Sequence, residues 1–287
     1  MSLSCVELSL DLLEACFAHA LTAEAEEVMG LLLGDVSEAA GAGPGGGEST
    51  ARIWALSFQQ RIDKRPDRVE VGPEQLAAAT QAAEDHGQRT GKRTRVIGWY
   101  HSHPHITVLP SHVDVQTQGS FQMLDSGFVG LIFSCFCAGA AQHEKRLQAS
   151  AFQAFAVGGG RFERRLVPLR FVATPRQGAR LGELMPALTR VQLAEQQHAF
   201  EAAAERLRRL GAEAGGAHGP ALESARLHHA SLFAAAVTHH LGTTGAALVQ
   251  ATHDRLRASQ KRVGSLERER DALLLNGEET SPQGAEQ

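Results

Sequence analysis

Up to about residue 172 the chain alternates irregularly between apolar runs of strand length and runs with helical spacing, whereas from Leu181 onward only helical spacing remains. This change of period limits the architecture more than any other feature. The first part predicts a compact α/β (α+β) domain, a mixed sheet covered by helices. The second part contributes no strands and predicts a helical region.

The expected strands are "EVMGLLLGDV", "ARIWALSF", "RVIGWYHSH", "FVGLIFSCF", "QASAFQAFAV" and "RRLVPLRFV". Helices are expected over "LDLLEACFAHALTA", capped by Ser9, and over "GPEQLAAATQAAEDHGQRTG", where Pro73 suits a first helical turn. A third opens at "SHVDVQTQGSFQML", whose Ser-x-x-Asp start makes Ser111 a cap with Asp114 in the first turn. "GAGPGGGES" lacks the GK[ST] ending of a phosphate-binding loop and reads as a linker.

Beyond Leu181, Leu193, Phe200 and Leu207 recur every seven residues, with Ala203 and Leu210 similarly related. "GAEAGGAHGP" then breaks the pattern, and "GTTG" interrupts a second long helical stretch that begins near Ala221. Further on, Leu256, Val263, Leu266 and Leu273 mark an apolar seam among charged neighbours. So narrow a stripe favours packing against another chain over an intramolecular pair. Residues after Asn276 are polar and aperiodic, and disorder is expected there.

A net charge of −4 gives no electrostatic reason to bind nucleic acid or an anionic membrane. The longest uncharged apolar stretch, "GFVGLIFSCFCAGAA", falls short of the roughly 20 residues of a membrane span, and acidic residues replace the basic start of a secretory signal. Cys5, Cys16, Cys135 and Cys137 form no CxxC pair. They read as buried free thiols of a protein in a reducing compartment, nucleus or cytosol.

Four of the chain's 14 histidines fall within "GWYHSHPHITVLPSHVDV", residues 98–115. Residues two apart on a strand share a side, so His101 and His103 turn to one site and Ser102 turns away. His105 lies past Pro104, where the strand has ended, and His112 is directed away from Ser111 and Asp114. Residues three apart share one face of a helix, so Ser111 and Asp114 meet the histidine pair if "PHITVLP" folds the chain back. Two imidazoles and a carboxylate suit zinc with a fourth position left to water, an arrangement of catalysis rather than of structure.

The complete pattern, H-x-H-x7-S-x2-D, resembles the signature of the JAMM, or MPN-plus, zinc metallopeptidases, in which a glutamate precedes H-[ST]-H-x7-S-x2-D. Every position is filled here. The resemblance spans about residues 5–175 and includes "EEVMGLLLGD", "DKRPDRVEVGPEQLAAA" and "GFVGLIFSCF". It implies a cytidine-deaminase-like mixed sheet flanked by helices, and one zinc ion held by His101, His103 and Asp114. It further implies Glu27 as general base and acid, and Ser111 as hydrogen-bond donor to the oxyanion. Glu26 is the rival of Glu27, and alternation along a strand would set the two on opposite faces.

Within that family the chain is similar to deubiquitinases of lysine-63-linked polyubiquitin, which imply action in the DNA-damage response or on cytokine receptors, in nucleus and cytoplasm. The resemblance implies an Abraxas-type, catalytically dead scaffold, bound through the C-terminal helices and the MPN domain, with further subunits as in the BRISC and breast-cancer-susceptibility-protein A complexes. The expected organisation is a catalytic domain over residues 5–175, a coiled-coil partner-binding region over 180–276 and a disordered tail over 277–287. Two departures from the pattern are Leu109, where a tryptophan is expected, and a short segment between Cys137 and Arg165.

Rival readings are weaker. A non-haem iron oxygenase also uses two histidines and a carboxylate, but has no need of an upstream glutamate base. A non-catalytic MPN scaffold would have lost ligands, and none is lost here. The pairs His228/His229 and His239/His240 point about 100° apart on a helix, so neither makes a natural chelate. The basic "RIDKRPDR" is either a solvated loop or one that contacts ubiquitin.

Overall fold

The structure, a computed structural model, describes residues 2–23, 26–38, 49–61, 72–137, 145–213 and 219–279. The described chain falls into two compact units, Met1–Val237 and Thr238–Gln287.

The first unit opens with β1 (Cys5–Ser9), a strand that the sequence reading did not contain, which runs directly into α1 (Leu10–Leu21). Ser9 holds the N-cap position with extended backbone, yet its side chain makes no capping bond and its Oγ is buried without a partner, contrary to the expected cap. Then follow β2 (Met29–Glu38), β3 (Ser49–Phe58), α2 (Pro73–Thr90), β4 (Arg95–Pro104), α3 (His112–Leu124), β5 (Val129–Cys137) and β6 (Lys145–Gly158). Pro73 starts α2 as expected, and Gly91 ends it with φ of 70°, a left-handed position that favours glycine.

"RRLVPLRFV" is two strands rather than one, β7 (Arg161–Val167) and β8 (Leu169–Val172). Proline at 168 brings no N–H to a ladder, so the pairing must change partner there. The eight strands form one sheet in the order β7-β6-β5-β4-β2-β3-β1-β8, which places these two consecutive strands at opposite edges. A single residue spans only about 3.5 Å, so the two edges must approach each other and the sheet curls on itself. The Val6 amide donates to the Pro168 carbonyl at 2.8 Å, and the Leu3 amide donates to Gln153 Oε1 at 2.9 Å across that closure.

β4 is central, antiparallel to β2 and parallel to β5. A side chain at Gly98 would bring its Cβ within 2.3 Å of the Val129 carbonyl, so only glycine lets the two strands approach there. Alternation along β4 separates two environments. Trp99 joins Met29, Leu31, Ile132 and Phe152 in a core closed by Ala79 of α2 and Phe121 of α3. Tyr100 faces the other way, where its ring meets Phe133 edge-on and its hydroxyl lies 2.8 Å from His19 Nδ1 of α1.

α4 (Leu181–Glu213) begins buried against α1, through Leu184, Met185 and Leu188. α5 (Pro220–His240) meets it where Phe200 stacks on Phe233, with centroids 5.0 Å apart. Part of the first heptad stripe is therefore covered within the chain. In the second unit the expected interruption at "GTTG" is a π-helical turn, Leu241–Gly245, that leads into α6 (Ala246–Glu279) without a break. All of "GAGPGGGES" but Ser49, nearly all of the basic loop and most of the tail lie outside the described residues. Among the described residues no helix is long and apolar enough to cross a membrane.

Candidate functional site

At the end of β4 the strand carries His101 and His103 out on the face of Trp99, and their Nε2 atoms converge to 3.0 Å. Ser102 points to the opposite side, as expected. It exchanges bonds with the start of the neighbouring segment: the Val28 amide donates to Ser102 Oγ at 2.9 Å, and the Ser102 amide donates to the Val28 carbonyl at 2.9 Å.

The segment after Pro104 does fold the chain back, and polar groups of the sheet hold it there. The His105 amide donates to the Cys135 carbonyl, Ser134 Oγ donates to the Ile106 carbonyl, and Ser150 Oγ donates to the Val108 carbonyl at 2.8 Å. Ser134 and Ser150 escaped the sequence reading. Their only signal was a hydroxyl inside an apolar strand run, in "FSCF" for Ser134 and in "QASAF" for Ser150. His105 itself is exposed with φ of 57°, and His112 is exposed at the first turn of α3, so neither joins the site.

Ser111 caps α3 with a reciprocal pair of bonds: the Asp114 amide donates to Ser111 Oγ at 3.2 Å and the Ser111 amide donates to Asp114 Oδ2 at 2.6 Å. That engages Oδ2 and turns Oδ1 toward His101, 3.2 Å from its Nε2. His103 Nε2 lies 3.5 Å from Oδ2. One ligand atom from each of His101, His103 and Asp114 fits within 4.8 Å of the others, and among the described residues this is the one such cluster of metal-ligating side chains.

The rings are oriented by two different devices. His103 Nδ1 donates to the Thr107 carbonyl at 2.7 Å, which directs its Nε2 into the site. His101 lies nearly parallel to Trp99, at 4.6 Å and 13°, while its buried Nδ1 has no hydrogen-bond partner. Trp99 is fixed in turn, since its Nε1 donates to Gln118 of α3 at 2.8 Å. Burial works to raise the Asp114 carboxyl, but hydrogen bonds from His101, His103 and Ser111 and the His101 charge hold it far below the usual carboxylate range. Burial works to lower the His103 imidazole, and bonds to Asp114 and Thr107, with the charges of Asp114 and Glu27, raise it overall. Two imidazole nitrogens and an ionised carboxylate on adjoining rigid elements match the donor set of a catalytic zinc site.

Glu27 does not lie on a strand. β2 starts at Met29, so Glu26 and Glu27 both precede it and alternation cannot separate them. The chain separates them by other contacts. Glu26 pairs with Arg61 Nη1 at 2.7 Å, while the charge of Glu27 reaches His103.

A curled mixed sheet with a His-x-His strand end facing a Ser-x-x-Asp helix start defines a class of protein, and comparison agrees. Residues 1–127 match the family model described as JAB1/Mov34/MPN/PAD-1 ubiquitin protease, and the chain belongs to that family. It is 38% identical to the Lys-63-specific deubiquitinase BRCC36 of Xenopus tropicalis, over 96% of this chain and 97% of the relative. The proteins of the same name from Rattus norvegicus and Camponotus floridanus are each 36% identical, over 94% and 96% of this chain and 94% and 98% of their own lengths.

Proposed function

We propose that the chain is a zinc-dependent deubiquitinase that hydrolyses isopeptide bonds in lysine-63-linked polyubiquitin. The observation that carries this reading is the convergence of His101, His103 and Asp114 in a chain similar over its whole length to Lys-63-specific deubiquitinases. His101, His103 and Asp114 would hold the zinc. When bound, zinc supplies Lewis acidity, which acidifies water toward neutral pH and polarises a carbonyl.

Glu27 accepts a proton from the attacking water and later delivers it to the lysine Nζ as the carbon–nitrogen bond breaks. Ser111 donates its hydroxyl proton to the oxyanion that develops on the isopeptide carbonyl. Its two roles are compatible, because the helix cap uses Ser111 Oγ as an acceptor. Trp99, Thr107 and Gln118 hold the imidazoles in place.

The catalytic domain corresponds to about residues 5–175, and residues 180–276 would bind an Abraxas-type scaffold and further subunits. Exposed Leu256, Val263, Leu266 and Leu273 support that partnership, and the buried free thiols Cys5 and Cys16 support residence in nucleus and cytoplasm. The test is incubation of the chain, alone and with the scaffold, with lysine-63- and lysine-48-linked chains, with and without a zinc chelator. Chelator-sensitive cleavage of the lysine-63 chains alone is expected. A zinc-loaded assembly that cleaves neither chain would move the function to scaffolding.

A further inference from the structure

Arg61, which follows β3, is the least expected group near the site. Its side chain is 13% exposed and joins two carboxylates from distant parts of the sequence. Glu195 of α4, 3% exposed, accepts from the Arg61 amide at 2.7 Å, from Nε at 3.2 and 3.1 Å and from Nη2 at 2.7 Å. The remaining Nη1 donates to Glu26 at 2.7 Å. A guanidinium forked onto one carboxylate in this way has little freedom left, so its free end is a fixed point.

We infer that the Glu195–Arg61–Glu26 chain positions Glu27, so that the first helix of the C-terminal region sets the alignment of the catalytic base. The inference rests on the proposed role of Glu27. Glu27 precedes the first residue of β2, and its segment is fastened at both neighbours. On the C-terminal side Val28 is locked to Ser102 by two hydrogen bonds, beside the zinc-binding histidines. On the N-terminal side the fastening described here is Glu26, held by Arg61 and through it by α4; the Glu26 amide adds a longer bond of 3.3 Å to the Ala23 carbonyl. If the Arg61 clamp is released, the segment that carries Glu27 loses its ion-pair fastening at Glu26, and small misplacements of a reacting group are costly in rate. Arg61, Glu195 and Glu26 touch neither substrate nor metal and are positioning residues.

The test uses the full chain, in whichever form, alone or scaffold-bound, turns over faster. Glu26→Gln removes the last link at a side chain that is one-third exposed, where the fold should not suffer, and Glu195→Gln removes the first. Each should lower kcat about tenfold with KM for lysine-63-linked diubiquitin within about twofold and one zinc per chain retained. The double variant should be no worse than the weaker single one, since both act through the same arginine. Amide exchange of residues 26–28 should quicken in Glu195→Gln although Glu195 lies on another element. Glu195→Gln with wild-type kcat, or with a loss matched by lost zinc or lost folded protein, would overturn the inference. So would complete inactivation by Glu26→Gln alone, which would make Glu26 the base. Wild-type turnover in Glu27→Ala would instead sink the assignment of the base on which the inference rests.

Discussion

The sheet and the last helix use apolar residues in opposite ways. In β5, Leu131, Ile132 and Phe133 are wholly buried by the chain's own elements, whereas along α6 Leu256, Val263, Leu266 and Leu273 are 54, 50, 46 and 66% exposed. Burying such a side chain is worth roughly 1.5–3 kcal/mol, so the sheet gains this from folding alone while α6 gains it only from a partner. The difference separates two properties. The proposed chemistry belongs to a region whose apolar residues its own elements bury, and the proposed association to a helix whose apolar seam is exposed.

Metal removal tests that separation most severely. Chelation should abolish turnover, yet leave far-UV circular dichroism and the cooperativity of unfolding intact, with the midpoint lowered only by the lost binding energy. An apo-protein that unfolds outright would show that the site is part of what holds the sheet, and the comparison would break.

Substitutions at the reacting groups come next. Glu27→Ala should lower kcat by about 10²- to 10⁴-fold with little change in stability. Ser111→Ala should cost about 3 kcal/mol of transition-state stabilisation, and separately about 1 kcal/mol of stability for the cap it forms on α3. Parallel urea unfolding and single-turnover measurements resolve the two numbers. A Ser111→Ala variant that loses stability but keeps its rate would reduce Ser111 to a cap.

These groups were legible in the sequence because each obeys a short-range rule. Strand alternation set His101 and His103 on one side, and helical spacing brought Ser111 to Asp114. The pieces that short-range rules left open or misread depend on distant partners. Whether "PHITVLP" folds back is decided by Ser134 and Ser150, both later in the chain, and Glu26 is set apart from Glu27 by Arg61 and Glu195 rather than by alternation. The strand β1 was missed because it is five residues long and runs straight into a helix. The eighth strand was missed because an apolar run does not reveal that Pro168 sends its two halves to opposite edges.

Acid stability sharpens the account of the sheet. Burial, with the nearby charge of Arg61, lowers the His19 imidazole from its ordinary 6.5 to about 3. The folded state therefore keeps His19 neutral where the unfolded state binds a proton. Below pH 6.5 the unfolded chain holds more protons, so stability present above 6.5 is lost as pH falls toward about 3. One proton corresponds to a slope of about 1.4 kcal/mol per pH unit within that window. In His19→Gln that part of the slope should vanish, as followed by urea unfolding at stepped pH. An unchanged slope would mean that other groups carry the acid sensitivity.

The smallest effect on the chain itself is expected at the seam. Leu256→Glu with Val263→Glu replaces two half-exposed residues on α6, so thermal stability of the isolated chain should move by no more than about 0.5 kcal/mol per site. Binding to an Abraxas-type scaffold should nevertheless weaken by more than tenfold, because each carboxylate would have to be desolvated against an apolar face. Calorimetry of the pair measures the second quantity and thermal melts the first. A large loss of stability with unchanged binding would mean that the seam is already covered within the chain, and the two regions would then use their apolar residues in the same way.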